Sequence, residues 1–456
     1  MFDKRNKRYS IGIVGVGIST LGVLEHLRAL GVPYSLTVRS TAAPKALPAG
    51  VVAERLFIGD NFLEGIDEDI LFLSPTVRPD RRKISLAAKR GVKISSDAEL
   101  FFGSVKKPVF SITGTDGKST TATVASELLL HSGVRATLCG NIGRAMSPTL
   151  DFPDTDAYVA ELSSFQLMSL TPKSEAAVIT NISENHLDWH KSMDEYIGAK
   201  ENVLKRAERR IICADSPLSV PFIKKYGADA VYSTKMSDGE LLRLGAPMRL
   251  SRRDGYILKN GEPYLSEAGI LLRQEHFLSD YLAAIALLDE RMTKDAFLKV
   301  SESFAGLEHR AKRIGCYGGV EFIDSSIDST PKRTLATLRS LPRRVVLILG
   351  GRGKKLSYDE LLASLHRYAK AVVLTGEAGL EMLARLESGD FDTKEVGYTY
   401  EKDFDAAVAA AVGFADAGDT VLLSPAATSH DAFSGYKERG ARFAELAKMV
   451  INKEKI

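Results

Sequence analysis

Cysteine is scarce in these 456 residues, and long apolar runs are absent. The three cysteines, Cys139, Cys213 and Cys316, are odd in number and widely separated. That excludes a disulfide framework and a CxxC-type site, and it fits a reducing cytoplasm. No apolar stretch approaches the ~18 residues that a membrane span requires. Near the N-terminus, Lys4, Arg5, Lys7 and Arg8 precede an apolar segment from Ile11 to Leu24, a superficial likeness to a signal peptide. Glycines interrupt that segment, no small-x-small cleavage site follows, and Glu25-His26-Leu27-Arg28 continues a helical pattern, so the reading is rejected. An excess of one charge is missing too. With 61 Lys and Arg against 58 Asp and Glu, the net charge is +3, which supplies no bulk attraction for nucleic acid or a membrane surface. Neither internal repeats nor low-complexity tracts occur. A cytoplasmic monomer is expected, with any phosphate bound locally.

What is present is alternation of strands and helices. At about 150 residues per domain, the length suggests three domains. In the first, Ser10–Val14 is a short apolar strand whose Gly15-Val16-Gly17 turn enters a helix reaching about Leu30, and Tyr34–Val38 and Asp69–Leu73 read as further strands. Lys106-Lys107-Pro108 is the expected linker to a second unit with strands near Thr137, Tyr158, Ala177 and Ile211 and a helical pattern from Glu195 to Ala207. A third begins after about Arg313, with strands at Val345–Leu349, Ala371–Leu374 and Thr420–Leu423. The expected fold class is α/β in three domains, bounded at 1–105, 106–312 and 313–456. The outer two read as Rossmann-like and the middle one as a P-loop ATPase-type parallel sheet. Such sheets are covered by helices on both faces and bind ligands at the carboxyl ends of their strands.

The strongest local signal is TGTDGKSTT from Thr113 to Thr121, after the apolar run Pro108–Ile112. A strand, a glycine turn and a helix opening at Lys118 create a nest of N–H groups that suits phosphate. Lys118 is placed to reach β/γ-phosphates and Ser119 to meet Mg²⁺. The general P-loop has a glycine where this chain has Ile112. The Gly15-Val16-Gly17 turn is weaker. Thr20 stands where a dinucleotide fingerprint has its third glycine, and Arg39 stands near where it has an acid, so a nicotinamide cofactor is disfavoured and a phosphate-bearing ligand met by Arg39 is favoured. Glu161 ends a strand beside the loop, a usual place for a Mg²⁺ ligand. His186 and His190 share i, i+4 spacing, but no third ligand supports zinc. His186 reads as a participant at the nucleotide and His190 as a surface residue. Lys200 by itself reads as a solvated helix charge.

Together, GTDGKST at 114–120, ELSSFQL at 161–167, NxSENHLD at 181–188, YxxAK ending at Lys200 and GLEHR at 306–310 resemble the Mur ligases, ATP-dependent amide-forming enzymes of peptidoglycan synthesis. ELSSFQL and the segment Leu423–Phe433 are most similar to the D-glutamate-adding branch. The resemblance implies ATP and two Mg²⁺ sites as cofactors, with UDP-N-acetylmuramoyl-L-alanine and D-glutamate as substrates. It implies nucleotide contacts from Gly114, Thr115, Asp116, Gly117, Lys118, Ser119, Thr120, Arg310 and Asp324. One Mg²⁺ falls to Ser119 and Glu161 and the other to His186 and Lys200, the latter carbamylated by CO₂. Lys118, His186 and Lys200 are the implied catalytic residues. The UDP substrate is assigned to Gly15, Gly17, Ser19, Arg39, Ser74, Asn141, Ser163 and Gln166, and the amino acid to Ser329, Lys354, Ser429, His430 and Tyr436. Four residues depart from the family pattern: Asp116 for Asn, Phe277 for an Asn that helps hold the base, Thr76 for a glycine in the UDP loop, and Ile327 where some members have lysine and others do not. A sister ligase using another amino acid, and a UDP-sugar-nucleotide-binding relative without turnover, share the same motifs.

Overall fold

Three β-sheets organise the chain, and the composition of each strand reflects how deeply it is buried. The computed structural model describes residues 8–43, 47–187, 189–353, 356–392 and 394–452. It divides into two compact units, Met1–Phe304 and Ala305–Ile456. Among the described residues no helix is long and apolar enough to cross a membrane.

The first unit holds two sheets. The smaller has five strands in the order Arg55–Ile58, Tyr34–Ser40, Tyr9–Val14, Ile70–Leu73, Lys93–Ser95, all parallel. Helices cover both faces, as a parallel sheet requires. Val23 and Leu27 of helix Ile18–Ala29 pack with Ile11 and Ile13, whereas Ile84 and Ala87 of helix Arg82–Lys89 pack with Val14 and Leu71. The larger sheet has nine strands. Val109–Thr113, third from one edge, is buried along its whole length and pairs in parallel with Lys173–Ile179 on one side and on the other with Ala157–Glu161, which the edge strand Ala136–Gly140 joins in parallel. Arg206–Cys213, Ala230–Tyr232 and Met248–Arg253 extend it in parallel, and the hairpins Tyr256–Lys259 and Glu262–Ser266 add two antiparallel strands. The helical pattern expected from Glu195 to Ala207 is shorter in the structure. The helix runs Met193–Glu201, and Arg206–Cys213 is a strand, because Ala207 and the Ile211-Ile212 pair are drawn into register with Lys173–Ile179.

The two sheets of this unit are locked together by buried groups. Asp97, 3% exposed, accepts from the Met146 and Ser147 N–H groups at 2.8 Å each and from the Ser147 hydroxyl. Burial pushes its pKa up, against those donors. Helix Ile18–Ala29 approaches the same segment so closely that a Cβ on Gly22 would lie 2.5 Å from the Ala145 methyl. His26 Nδ1 also meets Asp151 at 2.9 Å.

The second unit is a six-stranded sheet in the order Lys312–Tyr317, Val320–Asp324, Thr420–Leu423, Val345–Gly350, Ala369–Thr375, Gly397–Glu401. The first strand is antiparallel to the second and the rest are parallel. Val345–Gly350 is buried throughout, which explains its unbroken apolar sequence.

Arg39 corrects a sequence-based expectation. It is fully buried, with Nε on Glu68 at 2.8 Å, Nη1 on the Phe62 and Glu64 carbonyls and Nη2 on the Gly65 carbonyl and Glu68. Its five N–H groups are spent inside the fold, so none is left for a ligand phosphate. Arg39→Met should strand the buried Glu68 carboxylate and lower the unfolding free energy by about 3–5 kcal/mol. Urea denaturation measures this, and Arg39→Met with Glu68→Leu should recover most of the loss.

Candidate active site

The loop expected to hold phosphate leaves strand Val109–Thr113 and is shaped by the end of its neighbour. Thr115 N–H donates to the Asn181 carbonyl (2.9 Å) and Asp116 N–H to Asn181 Oδ1 (3.0 Å). Thr180 Oγ1 and Asn181 Nδ2 both donate to the Asp116 carbonyl, at 2.6 and 3.0 Å. The Thr115 hydroxyl turns inward, to Ser183 N–H at 2.9 Å and to the Tyr196 hydroxyl at 2.9 Å. Gly117, at φ +78°, is the N-cap of helix Lys118–His131, with no side chain capping its first turn. An uncapped helix N-terminus of this kind is the geometry that receives an anion. A Cβ at Gly117 would lie 2.1 Å from Asp280 Oδ1, so the position has room only for glycine. Lys118 Nζ folds over the loop onto the Thr115 carbonyl at 2.7 Å. Ser119 is half-buried and Thr120 buried in that first turn.

Glu161 ends the adjacent strand opposite Ile112. It is fully buried; Oε1 accepts from Asn141 Nδ2 at 2.7 Å, and Oε2 has no hydrogen-bond partner. An uncompensated buried carboxylate oxygen is costly unless a cation joins it. The position suits a hard divalent ion, for which oxygen ligands are right. Asn141, assigned from the sequence to the UDP substrate, is spent on bracing that carboxylate through its amide N–H. Among the described residues no three His, Cys, Asp or Glu groups converge as a ready-made metal cage.

Lys200 is 1% exposed, with Nζ 2.5 Å from the Gly114 carbonyl and over the Tyr196 ring. The solvated helix charge read from sequence is thereby overturned. Burial, then the neighbouring Lys118 charge, lowers its pKa well below the ordinary lysine value, which favours the neutral amine. His186 adopts φ +55° and is exposed, its ring 5.0 Å from Phe165. His190, expected at the surface, is instead 1% exposed; Nε2 meets Ser164 Oγ at 2.9 Å. The aromatic rings around it explain the difference: Trp189 and Tyr196 enclose the imidazole, and burial lowers its pKa. The two histidines therefore do not present a paired face to one metal.

A cavity of about 370 Å³ lies beside this region, lined by Ser19, Ser74, Val77, Phe165 and Gln166 among others. It gathers three of the residues assigned to the UDP substrate, Ser19, Ser74 and Gln166. Ser163 is the N-cap of helix Ser164–Leu167, its N–H and hydroxyl both donating to Gln166 Oε1 at 2.9 Å. In the first turn of the chain, Gly15 N–H donates to the Arg39 carbonyl (2.8 Å) and Gly17 N–H to Thr20 Oγ1 (3.1 Å). Thr20, where a dinucleotide site has glycine, thus uses up one N–H of the turn.

In the second unit, Asp324 receives His309 Nδ1 at 2.6 Å and the Ser326 N–H at 2.8 Å, holding His309 at φ +62° beside half-exposed Arg310. The Tyr436 carbonyl accepts from Ser326 Oγ at 2.9 Å, and the Tyr436 ring lies 6.0 Å from His309. Ser429 is buried and its carbonyl accepts from Phe433 N–H, whereas His430 is exposed. Ser329 N–H donates to the Ile327 carbonyl at 2.8 Å. Lys354 lies outside the described residues. Sequence reasoning missed Arg439, 2% exposed, which donates to Ser326 Oγ and to the Ser326 and Ala427 carbonyls. Burial lowers its pKa to about 10. Arg439 has no local signal, since it looks like an ordinary helix charge until packed. Asp280, the last residue of the segment Gln274–Asp280, is buried behind Gly117.

Two family profiles match in order along the chain: the Mur ligase middle domain at residues 112–288 and the Mur ligase glutamate ligase domain at residues 309–427. The chain is 33% identical to a UDP-N-acetylmuramoylalanine–D-glutamate ligase of Acetivibrio thermocellus, over 98% of each chain. It is 30% identical to the protein of that name in Ruminiclostridium cellulolyticum, over 97% of each. Among solved structures, the UDP-N-acetylmuramate-alanine ligase MurC of Thermotoga maritima aligns with a TM-score of 0.60 at 19% identity, covering 97% of this chain and 100% of that one. A UDP-N-acetylmuramoyl-L-alanyl-D-glutamate–2,6-diaminopimelate ligase aligns with a TM-score of 0.57 at 16% identity, covering 100% and 95%. These neighbours bear out the three-domain α/β fold, and the sequence relatives bear out the resemblance read from the motifs. By its fold, its two matched domains and its full-length relatives, the chain belongs to the Mur ligase family.

Proposed function

We propose that this chain joins D-glutamate to UDP-N-acetylmuramoyl-L-alanine at the expense of ATP. The reading is carried by one arrangement: an uncapped helix N-terminus at Gly117 with a buried, half-satisfied Glu161 and a buried Lys200 around the same loop. The identity to D-glutamate-adding relatives across nearly the whole chain supports the choice of amino acid. Residues 1–105 bind the UDP substrate, 106–312 bind ATP, and 313–456 bind the amino acid.

The carboxylate of the acceptor is a poor electrophile and is first activated. Its oxygen bonds to the γ-phosphorus as the bond from that phosphorus to the β-phosphate oxygen breaks, giving an acyl phosphate and ADP. The amine of D-glutamate then adds to the acyl carbon; the tetrahedral intermediate loses phosphate and a proton to leave the amide. Phosphoryl transfer depends on positioning and on charge neutralisation. The loop from Gly114 to Thr120 holds the phosphates through Lys118 and the first turn of its helix, its Thr115 and Asp116 N–H groups being taken by Asn181, while Arg310 and Asp324 contact the nucleotide. Ser119 and Glu161 would hold one Mg²⁺, and His186 with carbamylated Lys200 a second. Mg²⁺ in these places would neutralise phosphate charge. A carbamate forms from a neutral amine and CO₂, which is the state that burial favours at Lys200. Ser329, Lys354, Ser429, His430 and Tyr436 receive the dicarboxylate of the amino acid, and Ser19, Ser74, Asn141, Ser163 and Gln166 the UDP substrate.

Phosphate release by purified protein with Mg-ATP and UDP-N-acetylmuramoyl-L-alanine should require D-glutamate. Equal release with other amino acids would assign the chain to a sister ligase, and no ADP at all would assign it to a binding protein. Lys118→Ala should abolish ADP formation and leave UDP-substrate affinity within about threefold, since it removes only a phosphate contact. Lys200→Ala should lower kcat by on the order of 10²-fold, and added formate or acetate should restore part of it by supplying the missing oxygen ligand.

A further inference from the structure

The loop after strand Ile70–Leu73 faces two ways. Ser74, Pro75, Val77 and Pro79 line the cavity. Arg78, between the last two, is committed elsewhere. Its Nε donates to Asp80 Oδ1 (2.9 Å), Nη1 to the Trp189 carbonyl (2.6 Å) and Glu195 Oε2 (2.9 Å), and Nη2 to Glu195 Oε1 (2.8 Å) and Asp80 Oδ2 (2.9 Å). All five guanidinium N–H groups are used, in a planar fork that a lysine does not reproduce. The side chain is 15% exposed, and the guanidinium draws the Glu195 carboxyl down to about 2 and lowers Asp80 as well.

A second tie runs in parallel. Trp189 Nε1 donates to the Thr76 carbonyl at 3.0 Å, and its indole lies under Arg78 and against Phe165, 4.3 Å between ring centroids. Phe165 is itself a cavity wall, and its ring lies 5.0 Å from that of His186. Trp189 and His190 N–H groups both donate to the His186 carbonyl, at 3.1 and 2.9 Å. Glu195 stands in the first turn of helix Met193–Glu201, the helix that carries Lys200. One guanidinium therefore grips the cavity wall, the His186 loop and the Lys200 helix at once.

We propose that Arg78 is a positioning residue that couples occupancy of the cavity to the His186 and Lys200 side of the phosphate site, so that a UDP-linked substrate and a magnesium nucleotide bind with positive cooperativity. This rests on the functional reading above for the identity of the two ligands. A ligand that presses on Val77 and Phe165 favours the arrangement in which Trp189 and Glu195 are held. By linkage, each ligand then tightens the other by the same factor. A strut of purely structural value would change stability alone.

Isothermal titration of the full chain with UDP-N-acetylmuramoyl-L-alanine, with and without Mg²⁺ and a non-hydrolysable ATP analogue, tests this. The wild type should bind the UDP substrate roughly tenfold tighter in the presence of the nucleotide, within the usual range of coupling. Arg78→Ala should bring that factor near one while each separate affinity stays within about threefold. Trp189→Phe keeps the ring and removes the bond to Thr76, so it tests the same link if Arg78→Ala folds poorly; it should lower the factor, and Arg78→Lys should not restore it. A factor near one in the wild type, or a wild-type factor in both Arg78→Ala and Trp189→Phe, overturns the coupling. Failure of the wild type to bind the UDP substrate at all overturns the functional reading, and with it the proposal.

Discussion

The phosphate loop keeps its shape because the neighbouring strand ends where it does. Val109–Thr113 and Lys173–Ile179 run in parallel with Thr113 opposite Ile179, so Thr180 and Asn181 emerge beside the loop and hold its Thr115–Asp116 backbone. A glycine loop has little intrinsic preference for one conformation. Here its donors are directed because the side chains of the next strand end occupy the other backbone groups. With the loop fixed, Gly117 opens a helix whose N-terminus has no side-chain cap, Glu161 arrives from the opposite neighbour, and Lys200 reaches the Gly114 carbonyl. Shift the register by one residue and all of these contacts are lost.

The site also holds groups in unfavourable states. Glu161 keeps a buried oxygen without a donor, Lys200 is buried among cationic and aromatic neighbours, and His186 sits at positive φ. Each costs stability by itself, and under the function proposed above a bound cation and phosphate would offset that cost. Asp280 behind Gly117 and Asp116 in the loop add negative charge near the same place. The surrounding scaffold offsets these costs through large apolar cores on both faces of its sheets and through buried polar locks such as Asp97 on the Met146–Ser147 turn.

Much of the site was legible because its chemistry is local in sequence. The loop Gly114–Thr120, Glu161 at a strand end, and the segments around His186 and Lys200 are short stretches in which residue type and spacing carry the signal. Arg39 and His190 were misread, and the burial of Lys200 was not visible, for one shared reason. A polar side chain has the same letter whether it faces water or a buried partner, and only packing tells them apart. Arg39 meets Glu68, His190 meets Ser164, and Lys200 meets the Gly114 carbonyl, over separations of 29, 26 and 86 residues. Arg78, Trp189 and Glu195 were silent in the sequence for the same cause, since the Arg78–Glu195 contact spans 117 residues.

By itself the sequence determined the fold class, the alternation of strands and helices, and the phosphate loop with its family, because these follow from apolar runs, glycine placement and contiguous motifs. Tertiary structure decided which charges are buried, which glycines are crowded, and which residues assigned to ligands are spent on the fold. Those outcomes depend on contacts between segments brought together only by sheet register and helix packing, and a pattern along the chain does not encode the distance across it.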